Sequence, residues 1–247
     1  MRGEGAALSI TKERAALVHQ AAALCLLYPD DRLPHRLGLV EAVRLGAPGI
    51  DAFTAWARAT EAGELAAHYV AVFDFKNRHS LYLSWWRDGD TRRRGTTLVA
   101  FKEAYRAHGF ECTDEELPDF LPAVLEFSAQ AGPALLLEHR PGLELLRLSL
   151  AAHGTPYAGV LEAVCATLPG PSPADLAEAR RMARVGPPRE AVGLDGYGGT
   201  GATSPAAFGP PGAFGPPAGP PGAFGPPVGA RTPLPLLSED RPEEGTP

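Results

Sequence analysis

YVAVFDFKNRHSLYLSWWRDGDTRRRGTTLVAFKEAYRAHGFECTDEELPDFLPAVLEF, residues 69–127, holds two of the three tryptophans, three of the six tyrosines and the run Arg92-Arg93-Arg94. Inside it, Leu98, Phe101 and Tyr105 recur at helical spacing, so a helix is expected from an Asp90 or Thr91 cap to Gly109 as its left-handed stop. Leu117-Pro118-Asp119 opens another, through Ala129; Asp119 as N-cap puts Pro122 in the first turn, where a missing N–H breaks no bond. Between them, Leu81 to Trp86 is too continuously apolar for a surface loop. Read as a strand it has no partner in the sequence, and a lone strand leaves its backbone unsatisfied. It is therefore expected to be helical or irregular, with at least one side buried.

Outward from this stretch the chain reads as helices cut by proline and glycine. The first is expected from Ser9 or Thr11 to Leu27, with Leu17, Ala21, Leu24 and Tyr28 on one stripe, stopped by Tyr28-Pro29. Leu33 to Leu45, Ile50 to Thr60 (Phe53, Trp56 and Ala57 inward) and Glu64 to Phe73 (Leu65, Tyr69 and Phe73 inward) follow. Beyond Gly132-Pro133 come Pro133 to His139, Pro141 to His153 with Leu143, Leu146 and Leu150 inward, Pro156 to Leu168, and Pro173 to Val185. The expected fold is all-α: one bundle of eight to ten helices over residues 1–185, with no credible sheet. From residue 186 to 247 the sequence is mostly Gly and Pro, with three Phe-Gly-Pro-Pro units at Phe208, Phe214 and Phe224. A tail of that composition cannot bury enough to offset its ordering entropy, and is expected to be disordered.

Composition narrows the function. The net charge of -6 argues against a broad nucleic-acid footprint and suits a cationic partner. Cys25, Cys112 and Cys165 are odd in number and far apart, with no Cys-x-x-Cys pair, so reduced thiols are expected and no zinc site. The sequence opens on no leader-like apolar segment and has no membrane-length run, so a cytoplasmic protein is expected. Gly196-Tyr197-Gly198-Gly199-Thr200-Gly201 fits the dinucleotide fingerprint but lies in the Gly/Pro tail, away from any strand-turn-helix context. No catalytic elbow, phosphate loop or metal-spaced carboxylate cluster is visible. Ser80 and Ser84 lie near His79 with no third group to orient them, and no enzyme is expected.

Six rings (Tyr69, Phe73, Phe75, Tyr82, Trp85 and Trp86) around one charged loop exceed what a small helix junction usually buries, and rings with polar handles favour interfaces. The arginine run at a helix start opposes the macrodipole, at about 0.3–1 kcal/mol per residue if nothing answers it. Arg94 shares the stripe of Leu98, Phe101 and Tyr105, so it points into protein and needs a carboxylate, within the fold or outside; a buried Glu126 is one candidate. The run itself reads three ways: a network with acidic helix starts, a surface for a partner's carboxylates, or a phosphate patch. The last belongs to an alternative function, a ligand-sensing helical regulator binding nucleic acid through Arg92 to Arg94.

Tyr69-Val70-x-x-Phe73-Asp74, Leu81-Tyr82-Leu83, Gly89-Asp90-Thr91-Arg92-x-Arg94-Gly95, Glu116-Leu117-Pro118-Asp119-x-Leu121-Pro122, Leu125-Glu126-Phe127 and Pro156-Tyr157-Ala158 together resemble the NarJ-type (delta subunit) assembly chaperones of respiratory nitrate reductase, within the wider molybdoenzyme-specific chaperones. The resemblance covers about residues 10–170. It implies a non-catalytic protein that binds the N-terminal segment of the apo catalytic (alpha) subunit, delays its membrane docking and permits molybdenum cofactor insertion into it. Such a protein holds no cofactor stably, takes no part in the final enzyme, and is a monomer or dimer with no stable membrane association. On this reading the peptide's apolar side meets Tyr69, Phe73, Tyr82 and Trp85 and its basic side chains meet Asp74 and Asp119. Asp90, Arg92, Arg94, Pro118 and Glu126 would hold the loop. Phe120 departs from the wider family, where His often follows the Pro-Asp, so no ionisable role falls to that position.

Overall fold

Proline opens four of the helices in the computed structural model. Pro34, Pro48, Pro122 and Pro141 sit in the first turn of their helices, where the proline's absent N–H would have had no intrahelical acceptor. Left-handed residues close two: Arg44 at φ 49° and Gly154 at φ 77°. The structure describes residues 2–74, 77–112, 116–185 and 232–233. All of them belong to one compact unit, made of residues 1–187 and 231–247. The expected tail disorder, the three Phe-Gly-Pro-Pro units, the fingerprint at 196–201 and Phe75 lie outside the described residues.

Among the described residues there are eleven α-helices: α1 Arg2–Leu26, α2 Leu33–Val43, α3 Pro48–Ala59, α4 Ala62–Phe73, α5 Trp85–Asp88, α6 Arg92–Ala107, α7 Leu121–Ala131, α8 Ala134–Glu138, α9 Arg140–His153, α10 Tyr157–Thr167 and α11 Leu176–Val185, with a 3-10 turn at Asn77–His79. The fold is all-α, as expected. The sheet expectation needs one small correction: Phe110–Glu111 (β1), just past α6, pairs in parallel with Thr232–Pro233 (β2). No described helix is long and apolar enough to cross a membrane.

α1 is the hub, packed on by α7, α10, α2 and α3. That corrects its expected stripe. Of that stripe Ala21 and Leu24 are buried as expected, but Leu17 and Tyr28 are 45% and 47% exposed, and Val18, Ala22, Ala23, Cys25 and Leu26 are buried as well. A helix with neighbours on most of its circumference shows no single apolar face. Burial pushes the Cys25 thiol up to about 12, which fits a packed, unreactive cysteine. α3 and α10 cross at glycines: a Cβ on Gly49 would lie 2.0 Å from the Gly159 carbonyl oxygen.

Candidate functional site

The loop after α4 turns inward because its backbone finds a partner after all. Tyr82 and Phe120 form an isolated antiparallel bridge. The Leu83 N–H donates to the Asp119 carbonyl at 3.0 Å, and the Leu121 N–H to the Leu81 carbonyl at 2.8 Å. The expectation that residues 81–86 lack a strand partner is thus corrected; the partner is the Leu117–Leu121 turn, whose helix-start appearance hides an extended Phe120. Ser84 then leads into the single turn α5.

Asp119 does not cap α7. Its N-cap is Phe120, which makes no side-chain cap bond. The Asp119 carboxylate, 0% exposed, instead reaches across the sequence: Oδ2 accepts from the Ser84 N–H at 3.1 Å and the Ser84 hydroxyl at 2.5 Å. Arg94 closes the cluster, donating through Nε to Ser84 Oγ at 3.2 Å, with a terminal nitrogen 3.9 Å from Asp119 Oδ2. The carboxylate that Arg94 meets here is therefore Asp119, while Glu126 lies fully buried in α7. Pro118 is buried too, its carbonyl accepting from the Tyr105 hydroxyl at 2.6 Å. Burial and the negative groups nearby push the Tyr105 phenol well up, so it stays a donor.

Above this latch lies a half-exposed aromatic surface. The Tyr82 and Phe120 rings sit 5.6 Å apart, the Arg94 guanidinium carbon lies 5.7 Å from the Tyr82 ring centre, and Leu117 is exposed beside them. The Tyr82 hydroxyl donates to Glu116 Oε1 at 2.9 Å, and the Leu117 N–H donates to the same oxygen at 2.9 Å. Burial first, then Glu116 and Asp119, raise the Tyr82 phenol while Arg94 opposes them. Trp85 is half-buried; Trp86 donates from its ring to the Ser80 carbonyl at 2.9 Å and packs on Gly142, where a Cβ would be 2.8 Å from its own.

The other residues expected at the site divide. Tyr69 and Phe73 are core: their rings are 4.8 Å apart and both contact Tyr157, and the Tyr69 hydroxyl donates to the Leu26 carbonyl at 3.2 Å. Asp74, at the end of α4, is exposed. Burial raises the Tyr69 phenol most, with Tyr157 next and Asp74, Tyr82 and Glu116 adding to it. Asp119 is fully buried, whereas, among the described residues, Glu116 is half-buried and Asp74 exposed. Asp90 and Arg92 are exposed, and the loop is held on that side by Arg87 instead. Arg87 donates to Thr97 Oγ1 at 2.7 Å and pairs with Asp88 at 3.3 Å and Glu138 at 3.4 Å, while the Thr97 hydroxyl donates to Asp88 Oδ2 at 2.6 Å.

Ser84, Arg87, Thr97 and Glu116 are thus the residues that sequence reasoning missed. Ser84 beside His79 resembled a nucleophile, yet the His79 ring bonds the Val72 carbonyl at 2.9 Å instead. No group of three or more metal-binding side chains occurs among the described residues. A cavity of about 490 Å³ lies apart from this surface, between α1, the α2–α3 loop and α10, with Ala15, Val18, Pro48 and Ala163 in its lining.

Fold and surface define an all-α protein with a half-exposed Tyr82–Phe120 ring pair beside a Ser84–Asp119–Arg94 latch. The family model described as the nitrate reductase delta subunit matches residues 38–163, half of the chain, and the chain belongs to that family. Nitrate reductase-like protein NarX of Mycobacterium tuberculosis (strain H37Rv) is 36% identical over 160 residues, 61% of this chain and 24% of that protein. The probable nitrate reductase molybdenum cofactor assembly chaperone NarJ of Bacillus subtilis is 33% identical over 108 residues, 42% of this chain and 59% of the relative. The NarJ chaperone of Escherichia coli K12 is 34% identical over 96 residues, 37% of this chain and 41% of the relative. The chain therefore spans about a quarter of NarX and about half of the NarJ relatives it matches.

Proposed function

We propose that this protein is an assembly chaperone for a nitrate reductase, binding the N-terminal segment of the apo catalytic subunit. It would delay that subunit's membrane docking and keep it open for molybdenum cofactor insertion, without catalysing a reaction, holding the cofactor stably or joining the final enzyme. The carrying observation is the platform made by the half-exposed ring pair Tyr82 and Phe120 with the exposed Leu117, and with Glu116 held on the Tyr82 hydroxyl, in a member of the delta subunit family. An amphipathic helix laid on it would place apolar residues on the rings and basic ones near the carboxylates. The buried latch fixes the platform from behind, which lowers the ordering cost of binding. Nucleic-acid binding through Arg92 to Arg94 has less support, because Arg94 is turned inward onto Ser84 and Asp119.

Calorimetric titration of the full chain with a peptide of the first ~20 residues of the catalytic subunit is expected to give micromolar or tighter binding, about -8 kcal/mol. Tyr82→Ala with Trp85→Ala should abolish that binding and leave the helical circular dichroism unchanged. Unchanged affinity in a folded double variant would remove the platform from the site.

A further inference from the structure

The outer face of α6 carries charge that no described residue answers. Arg92, Val99 and Arg106 recur every seven residues, close to two helical turns, so they lie in one line along the helix. All three are exposed, Val99 by 53%, and Arg93 stands exposed beside Arg92. The opposite side of α6 carries the buried Phe101 and Tyr105. Among the described residues no carboxylate pairs with Arg92, Arg93 or Arg106. The nearby acids and the third arginine are engaged elsewhere: Arg94 with Ser84 and Asp119, Asp88 with Arg87 and Thr97.

The far end of the chain is anchored at the foot of this helix. β1 begins three residues after α6 ends, and Thr232–Pro233 pairs with it in parallel. Residues 231–247 belong to the same compact unit as α6. Beyond Pro233 the sequence opens on Leu234, Leu236 and Leu237, then carries Glu239, Asp240, Glu243 and Glu244 against the single Arg241. Its spacing matches the helix. At 1.5 Å per residue, Val99 lies about 12 Å back along α6 from Ala107, and Arg93 and Arg92 about 21–23 Å. At about 3.3 Å per residue of extended chain, Leu236 and Leu237 reach about 10–13 Å from Pro233, and Glu239 and Asp240 about 20–23 Å.

We propose that the outer face of α6 is an interaction surface for an acidic, leucine-led segment, and that its occupant is this chain's own C-terminal segment, residues 234–247, running back along the helix from β2. Leucines then come level with Val99 and carboxylates with the arginine pair. Covering Val99 removes apolar surface from water, and the carboxylates relieve two like charges on adjacent residues. An acidic segment of another protein would meet the same arginines, but the anchor at β2 gives this one an effective concentration that a separate chain has to exceed. Occupied, the face excludes other polyanions from α6; vacated, it accepts them. The surface is separate from the Tyr82–Phe120 pair and does not rest on the proposed function.

Arginine labelling by phenylglyoxal in the full chain, read residue by residue by mass spectrometry, tests this. The unaltered protein is compared with one carrying Glu239→Gln, Asp240→Asn, Glu243→Gln and Glu244→Gln, changes that touch no residue of α1 to α11. Exposed ion pairs are individually weak, so the protection is modest: Arg92 and Arg93 should label about threefold faster in the neutralised chain at low salt. Arg58, paired with Glu41, should keep its rate. Salt at about 0.5 M should bring the unaltered chain to the neutralised rate. A chain ending at Pro233 should label like the neutralised one, and a synthetic peptide of residues 234–247 added to it should slow Arg92 and Arg93 again. Equal rates in the unaltered and neutralised chains at low salt overturn the inference. So does protection by the added peptide that is the same in the unaltered and the shortened chain, because the face is then open in the resting protein. If a DNA duplex slows Arg92 and Arg93 equally in both, the arginines are an open phosphate patch and the occupancy in cis falls.

Discussion

Asp119 shows how far a residue's work can lie from its sequence neighbours. Placed before a helix, it reads as a cap, yet its carboxylate holds Ser84, 35 positions away. A short acceptor serves either purpose, and the sequence alone does not choose between them. His19 makes the same point and carries a prediction. Its ring, buried in α1, meets Thr167 Oγ1 at 2.8 Å and Ser128 Oγ at 3.1 Å. Since the Thr167 hydroxyl donates to the Val164 carbonyl, its oxygen accepts from His19 Nε2–H, and the Ser128 hydroxyl is left to donate to Nδ1. Burial lowers this histidine from 6.5 to about 4, so it is neutral in the fold and the unfolded chain takes the proton first as pH falls. Stability is therefore whole above pH 6.5 and is lost as pH falls from 6.5 toward 4, by up to about 3 kcal/mol for this group. His139, also lowered to about 4 mainly by burial, adds to the same limb. Urea melts at pH 7 and pH 5 should show that loss, reduced in His19→Gln; an unchanged pH difference in the variant would remove His19 from the effect.

At the scale of elements, boundaries were legible and contacts were not. Gly109, Gly132-Pro133 and Gly154 stop helices where expected because proline and glycine act on the local backbone, whereas α2 closes early, at left-handed Arg44 rather than at Gly46. The α6 face of Phe101 and Tyr105 was legible because one side of that helix is exposed. The Arg140–Glu144–Arg147 clamp was not: its acceptors are carbonyls 26 to 31 residues onward, and any residue offers a carbonyl. The α3–α10 crossing was equally silent, since Gly49 and Gly159 reveal a close approach only once the helices are placed. Gly49→Ala would force its Cβ onto the Gly159 backbone and should cost about 1–3 kcal/mol by overpacking. Gly95→Ala, in the exposed face of α6 with nothing within 4 Å, should instead add roughly 0.5–1 kcal/mol. Opposite shifts in melting temperature are expected from one substitution type. Equal shifts would mean that helix propensity, not the crossing, governs both.

For the whole molecule the decisive element is α1, and it lies before the matched segment of residues 38–163. Its expected stripe was half right, with Ala21 and Leu24 buried and Leu17 exposed. Neighbours on several sides widen the buried face beyond one stripe, yet its composition of small and aliphatic residues is what a hub needs. Ala21, Ala22 and Ala23 let neighbouring helices approach closely, while Val18, Leu24 and Leu26 fill the spaces between them. Burying each of those three larger side chains is worth about 1.5–3 kcal/mol. Removing them would also expose what α7 and α10 present to them, against a domain margin of only ~5–15 kcal/mol. A chain starting at residue 32 should therefore keep much of its far-ultraviolet helical signal, from local punctuation, while losing near-ultraviolet signal and cooperative melting and binding a hydrophobic dye. The platform would fail with it, although no platform residue is in α1, because α7 carries Phe120 and Asp119 at its start and packs on α1 along its length. If that shortened chain instead melts cooperatively, the matched segment is its own folding unit and α1 is an accessory to the core.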